Sequence, residues 1–551
     1  MKQQLNLTTQ KGCSVILHPF VHLHTHTEYS LTDGIAKIPQ LVDKAMADGM
    51  PGIAITDHAN MFGVAEFVDY IENKNRELGT NFKPIIGCEV YVARRGMGQR
   101  GEKEDFAGYH LVLLAKNQTG YKNLVKIVSR SWLEGCCGRP RTDKAELERY
   151  HEGLICCSAC IGGEVAQHIL NNDMGAAERA AKWYKDIFGE DYYFELQRHI
   201  PTVERANHET HKLEAKVNAE LVRLSKKLGI KLICANDIHF VNEEEAEVQD
   251  SLLCLNCGKS VDDLDRLIFS KQEWLKTTAE MNELFSDIPN ALENTMEICN
   301  KVEHYSINHA QLLPKPILPE GVDEVEHLAR LAFEGAYERY GKPLSAEIKE
   351  RLKAELRIIN NRNYTSLVLM WHEIVSTARK LGVKMGLDRG FARNSLLLYS
   401  LGIAQTIPTG LGTEFCDYIN LEQGLPALEC EFDKEGKERV LNWIVERYGG
   451  QSVANITSRN VFTAKTISSG GIRAEKLVGV LRKMDIHSCG VAICEGDISE
   501  IVPLAWVESE ENNNAVVVTQ YNGMALRHIG VGVLYILTSN ALHDEGAVTS
   551  E

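Results

Sequence analysis

Three histidines, His22, His24 and His26, stand at alternate positions in VHLHTHTEYSLTDG. Alternate residues of an extended chain share one side, so the spacing fits either metal ligands or one polar face of a strand. Further residues of ligand type recur along the first part of the chain: Asp33, His58 in AITDHANMFG, Glu89 in IGCEVYVA, His110 in YHLVLLAKN, His199 in YYFELQRH, and Asp237 and His239 in ANDIHF. Imidazoles together with carboxylates suit zinc, manganese or iron rather than calcium. His24, His26, Asp33, His58, Glu89, His110, His199, Asp237 and His239 are too many donors for one ion and enough for two or three. Ions grouped in this way generate hydroxide and clamp a phosphoryl group during in-line displacement. The plainer alternative is a hydrogen-bonded polar rim without metal.

Short apolar runs lead into these residues: GIAITDH, PIIGCEVYVA, HLVLLAKN, GLICCSAC, YYFELQRH and KLICANDIHF, alternating with helical stretches as far as about residue 245. Such alternation predicts βα units and a parallel sheet or barrel. The C-terminal strand ends of a β/α barrel converge on one face, where chemistry is built. Core histidines scattered at random would not repeatedly fall there, which favours the metal reading. From Asn282 to Lys380 the pattern becomes helical. SAEIKERLKAELRIIN offers Ser345 as N-cap and Ile348, Leu352, Leu356 and Ile359 as a core stripe. Beyond Lys384 the pattern is mixed, with strands expected at LPALECEFD, CGVAICEG and AVVVTQY.

At 551 residues the chain predicts more than one domain, since domains usually hold about 100–200 residues. Its 44% hydrophobic and 25% charged residues fit a globular protein with sizeable cores. No apolar run approaches the ~18–20 residues of a membrane helix, and the N-terminal stretch does not read as a signal peptide. Fifteen cysteines without a regular framework point to a reducing, cytoplasmic setting. Cys136–Cys137 and the cluster Cys156, Cys157 and Cys160 could form a metal or redox site, but GLICCSAC reads better as a buried strand entering a turn. Cys254 and Cys257 lack the second pair that a structural zinc site needs. A net charge of −16 argues against non-specific coating of nucleic acid and leaves room for a local basic cleft.

HLHTHTEYSLTDG, AITDHANMFG, IGCEVYVA, YHLVLLAKN and ANDIHF resemble the PHP (polymerase and histidinol phosphatase) domain, in the version that opens the alpha subunit of bacterial DNA polymerase III. The resemblance implies an α/β fold: a distorted (β/α)7 barrel with a trinuclear metal site, followed by an α+β palm-like domain with a shortened thumb. It carries over His24, His26, Asp33, His58, Glu89, His110, His199, Asp237 and His239 as ligands of two or three divalent ions (zinc, manganese or iron). It leaves His22 outside and makes Asp57 an orienting residue. Family members with a complete set act as phosphoesterases or 3′→5′ proofreading exonucleases.

The likeness continues to the end of the chain, with departures. MGLDRGFARNSLLLYSLGI resembles the family's triphosphate loop; Arg389, Gly390 and Ser395 are retained, while Asp388, Phe391, Arg393 and Asn394 replace small residues. Of the three aspartates that hold two Mg²⁺ ions in the family, the first two positions are Glu429 and Glu431 and the third is Tyr535. Glutamate displaces the ions, catalytic geometry tolerates ~1 Å errors poorly, and tyrosine is neutral at pH 7. Lys465 and His487 match family positions. The palm therefore reads as a relic, and LECEF as a sheet edge of alternating charge. The expected division is an extension over 1–18, the PHP barrel over 19–270, connector and palm over 271–432, a thumb-like segment over 433–485 and the rest of the palm over 486–551. Fingers, clamp-binding and OB-fold regions are not expected within the chain. DNA and other replication proteins are the expected partners, with no membrane. Three functions stay open: a metal-dependent phosphoesterase or exonuclease, a templated DNA polymerase, which alone would use Mg²⁺, and a non-catalytic DNA-binding protein with structural metal.

Overall fold

The computed structural model describes residues 6–8, 14–263, 265–408, 424–467, 474–508 and 514–539. The remainder of the expected N-terminal extension lies outside these residues. The chain divides into two compact units. The first comprises Met1–Ile307, Arg459–Asp485 and Pro503–Trp506; the second comprises Asn308–Ser458, Ile486–Val502 and Val507–Glu551.

In the first unit the six anticipated apolar runs form β1 (Gly52–Ile55), β2 (Lys83–Ala93), β3 (Gly108–Ala115), β4 (Leu154–Cys157), β5 (Tyr192–Gln197) and β6 (Lys231–Ala235), hydrogen-bonded in that order. β1 pairs parallel with β2, β4 with β5, and β5 with β6. β3 alone is reversed, antiparallel to both neighbours, so the barrel is not the all-parallel form that the alternation predicts. The histidine stretch is not a regular strand. It closes the sheet by isolated bonds: Ala54 donates to the His22 carbonyl and Thr56 to that of Thr25, while His26 donates to Ile238 just beyond β6.

A shared core of Val21, Leu23, Ala54, Ile85, Val112, Leu114, Ile155, Tyr193 and Ile233 also takes in Ile298, Cys299 and Val302. Those last three extend the unit past residue 270, the boundary expected from the sequence. The helix Pro289–Lys301 that carries Ile298 and Cys299 is tied to β6, where Asn294 donates to the Leu232 carbonyl at 2.7 Å and Glu297 meets Lys231 at 2.7 Å. Arg459–Asp485, expected as part of a separate thumb, joins this unit for a similar reason. Phe462, Ile467, Leu477 and Val480 pack with Ile35, Phe240, Ala246, Val248 and Leu252. The buried Glu28 carboxylate accepts from Arg459 at 2.7 Å and from the Leu481 amide at 2.9 Å.

The second unit contains the predicted helices Glu324–Tyr340, Ala346–Asn361 and Thr365–Lys380. Ser345 caps the second of these by accepting from the Ile348 amide; Leu352 and Ile359 are fully buried, with Ile348 and Leu356 packed beside them. A six-stranded sheet is formed by β7 (Leu428–Phe432), β8 (Val453–Val461), β9 (Leu481–Ile493), β10 (Leu504–Glu508), β11 (Ala515–Thr519) and β12 (Gly532–Thr538), in the order β7-β12-β9-β8-β11-β10. β7 is an edge strand whose residues alternate between buried and half-buried, as LECEF predicts. No helix among the described residues is long and apolar enough to cross a membrane.

Candidate metal centre

Glu89 is the hub. Its strand β2 runs on past its pairing with β1, which ends at Ile86, so Glu89 reaches the open end of the barrel. Its two oxygens meet His58 Nδ1 at 2.6 Å, His110 Nδ1 at 2.8 Å, His24 Nε2 at 3.5 Å and His26 Nε2 at 3.8 Å. His110 arrives from the reversed strand β3, which begins where its neighbours end. A sequence rule based on strand ends alone would not have placed it. Asp237 Oδ1 lies 3.2 Å from His24 Nε2 and 3.1 Å from His26 Nε2, on a backbone held at φ 44°, a left-handed conformation that non-glycine residues adopt at a cost. Asp33 lies 3.3 Å from His58 Nε2 and 3.9 Å from His239 Nε2. Thus eight of the nine expected ligand positions converge.

His199 does not join them. Its Nδ1 meets Glu214 at 2.5 Å and its Nε2 meets the Asn236 carbonyl at 3.0 Å, which leaves no ring nitrogen for an ion. Cys160 was not anticipated as a ligand, and its Sγ lies 3.5 Å from His110 Nδ1. Among the described residues, three groups have ligand atoms within 4.8 Å of one another: His26, His58 and His239; His24, His26 and Glu89; Glu89, His110 and Cys160. GLICCSAC is the buried strand entering a turn that the sequence predicts: Cys156 and Cys157 are fully buried in β4 and Cys160 stands at the turn beyond the strand end. Its position there was the available signal.

The imidazoles are aimed from behind. His24 Nδ1 meets Glu195 at 2.7 Å, and His239 Nδ1 meets the Asp237 carbonyl at 2.7 Å. His26 Nδ1 meets Ser30 Oγ at 2.9 Å, and Ser30 donates to Asp57 at 2.7 Å. Asp57 also accepts from the Thr27 amide and hydroxyl, the orienting role expected of it. Glu195 was missed by the sequence reading. His22 turns away, its Nε2 against the Lys276 carbonyl at 2.7 Å.

Burial and mutual charge divide the protonation states. Burial alone would lower His24, but the Asp237 and Glu195 carboxylates raise its pKa well above the usual imidazole value. His26 is pushed down to about 3 by burial and by the imidazoles of His58 and His239. Burial would raise Glu89 and Asp237, yet the surrounding histidines hold both well below the carboxylate range.

Asp33 Oδ1, His58 Nδ1, Glu89 Oε2 and Asp237 Oδ1 are buried and make no hydrogen bond of good geometry, although they crowd ligand-type atoms, as where Glu89 Oε2 lies 2.6 Å from His58 Nδ1. Buried polar atoms are nearly always satisfied, so four converging orphans, all of ligand type, fit divalent cations. The Asp33, Asp237, His58 and His110 side chains keep some exposure, 13 to 23%, so solvent reaches the centre from one side.

The palm positions cluster too. Glu429 of β7 lies directly opposite Tyr535 of β12, and the Tyr535 ring lies 5.2 Å from that of His487. Glu431 is held by Arg389 at 2.8 Å; burial would raise its carboxyl, but the guanidinium brings it below the usual value. Asp388 uses both oxygens on the amides of Gln405 and Thr406. Ser395 donates to the buried Glu355, which also accepts from the amides of Leu396 and Leu397. Gly390 is required where it stands: φ is 55°, and a Cβ would come 3.1 Å from Glu429 Oε1.

Residues 22–199 match the family model described as PHP domain, and residues 326–470 match that of the bacterial DNA polymerase III alpha NTPase domain. The chain is 39% identical over 459 residues to the DNA polymerase III subunit alpha of Borreliella burgdorferi, covering 81% of this chain and 38% of the relative. It is 32% identical over 518 residues to that of Campylobacter jejuni, covering 88% of this chain and 40% of the relative. The chain thus spans well under half the length of these relatives. Among solved structures, a histidinol phosphate phosphatase from Lactococcus lactis, complexed with zinc, L-histidinol and phosphate, matches at 13% identity and a TM-score of 0.23, over 47% of this chain and 99% of that one. At that score the likeness carries no argument.

Proposed function

In a chain that joins a PHP domain to the NTPase domain of bacterial DNA polymerase III alpha subunits, we propose that the barrel centre is a metal-dependent phosphoesterase acting as a 3′→5′ exonuclease on DNA ends. The observation that carries this reading is the convergence of buried ligand-type atoms of Asp33, His58, Glu89 and Asp237 that crowd one another without well-formed hydrogen bonds. His24, His26, Asp33, His58, Glu89, His110, Cys160, Asp237 and His239 would hold two or three divalent ions of zinc, manganese or iron type. Bound ions of this kind supply Lewis acidity that activates water and neutralises phosphoryl charge. The chain's own part is to fix the ligands: Glu195 and Ser30 set the ring orientations of His24 and His26, and Asp57 holds Ser30. Such partners behind metal ligands hold imidazole tautomer and direction.

A second reading concerns the palm: the polymerase site is inactive, and Mg²⁺ has no role there. Its support is the ring of Tyr535 opposite Glu429 and the ion pair that occupies Glu431. DNA is the proposed substrate, and other replication proteins the proposed partners. One gel tests both readings: a 5′-labelled primer on a template, with Mn²⁺ or Zn²⁺, with and without dNTPs. A primer that shortens supports the exonuclease. A primer that lengthens overturns the palm reading, and an unchanged band overturns DNA hydrolysis in favour of a small phosphoester substrate or a structural metal.

A further inference from the structure

A row of rings crosses the metal centre. Phe269 sets its edge against His239, with centroids 5.1 Å apart and planes at 87°. His239 lies 5.8 Å from His58, and His58 lies 6.0 Å from the near-parallel ring of Tyr91. The Arg139 guanidinium lies over the Tyr91 ring, 4.9 Å from its centroid. Arg139 is exposed and has no carboxylate within ion-pair distance among the described residues. Phe269 is half-buried.

The placement of Arg139 follows from register. The short strand Arg141–Thr142 pairs parallel with β2, setting Arg141 beside Tyr91. The backbone bends just before it, with Cys137 and Arg139 bridged across Gly138. Arg141, fully buried, donates to the carbonyls of Gly135, Met97 and Gln99 at 3.0–3.1 Å. It thereby fastens both neighbouring loops. Gly135 is needed for this: a Cβ there would come 1.8 Å from the Arg141 carbonyl oxygen. A cation without an ion-pair partner among the described residues is thus held on a loop tied down by Arg141 beside the metal centre, and the half-buried ring of Phe269 stands at the other end of the row.

We propose that Arg139 and Phe269 are the substrate grip of this centre, and that its substrate class is a single-stranded polynucleotide end. Arg139 takes a backbone phosphate next to the one being cleaved, and Phe269 takes a base. A guanidinium suits phosphate, and aromatic platforms with a cationic groove are how proteins hold single strands without reading sequence. A small phosphate ester, which has no neighbouring phosphate, would reach the ions without needing Arg139. This inference rests on the phosphoesterase reading and names the residues that select its substrate.

The test uses the full chain with Mn²⁺, the single variants Arg139→Gln and Phe269→Ala, and two probes. One is a short fluorescein-labelled single-stranded deoxyoligonucleotide with phosphorothioate linkages at its 3′ end, followed by anisotropy across a salt series. The other is hydrolysis of bis(p-nitrophenyl) phosphate. Arg139→Gln lowers the steepness of log affinity against log salt by about 0.7, the loss of one phosphate contact on a single strand. Phe269→Ala weakens strand binding at least about fivefold, the lower end for loss of one stacked base. Small-ester hydrolysis stays within about twofold of the parent in both. Unchanged strand binding in both variants overturns the proposal, as does an equal loss on both probes, which would make these residues supports of the metal ligands. If strand binding falls as stated while the parent hydrolyses neither the small ester nor an unmodified strand of the same sequence, the grip stands and the phosphoesterase reading falls.

Discussion

Changing Glu89 to glutamine keeps its shape and removes the charge that faces His24, His26, His58 and His110. The expected outcome is loss of bound metal, read by elemental analysis, together with at least a hundredfold loss of hydrolysis; full retention of both would rule out Glu89 as a ligand. His199 makes a different forecast. Burial would lower it, but the Glu214 carboxylate raises its pKa from 6.5 to about 9. A histidine raised in the folded state stabilises fully below its unfolded pKa, and that stability is lost as pH climbs through the folded value. His199→Gln should therefore be much less stable than the parent at pH 6, with the gap in melting temperature closing towards pH 9.5. A gap that is constant with pH would show that His199 is not protonated in the fold. The same residue marks a limit of the sequence. His199 follows an apolar strand as His58 does, but its partner Glu214 lies on the next helix, Glu209–Leu228, and nothing in the local spacing reveals that pairing.

At the scale of elements, the apolar runs made six of the sheet's seven strands legible, because buried strands must be apolar whatever their direction; the seventh, Arg141–Thr142, is two residues long and has no such run. Direction was not legible. The connection between β2 and β3 runs from residue 94 to 107, long enough for either a hairpin or a crossover, so the reversal of β3 could be read only from its hydrogen bonds. The helix Ala346–Asn361 was readable from its cap and its stripe. The role of Glu355 within it was not, because its partners Ser395, Leu396 and Leu397 lie some forty residues away. Glu355→Ala leaves a buried hydroxyl and two amides without an acceptor, and each such group costs about 1–3 kcal/mol. Urea unfolding of the variant should show a loss of at least about 2 kcal/mol, whereas a loss under about 0.5 kcal/mol would mean that water replaces the carboxylate.

For the whole molecule, the convergent carboxylates imply that cations and folding are linked. A ligand present at a hundred times its dissociation constant stabilises by about 2.7 kcal/mol. Chelation should lower the melting temperature of the parent, and the shift should vanish in Glu89→Gln; an equal shift in both would point to a cation elsewhere. The ligands run from His24 to His239 and meet only where the stretch around Thr25 bridges to Ile238. Contacts of such long sequence separation form late, after the chain ends have found each other. The centre therefore doubles as a checkpoint on biogenesis. While the protein is being synthesised, no complete set of ligands exists until the last barrel strand has emerged, so the rate of metal capture during refolding reports the moment at which the barrel closes.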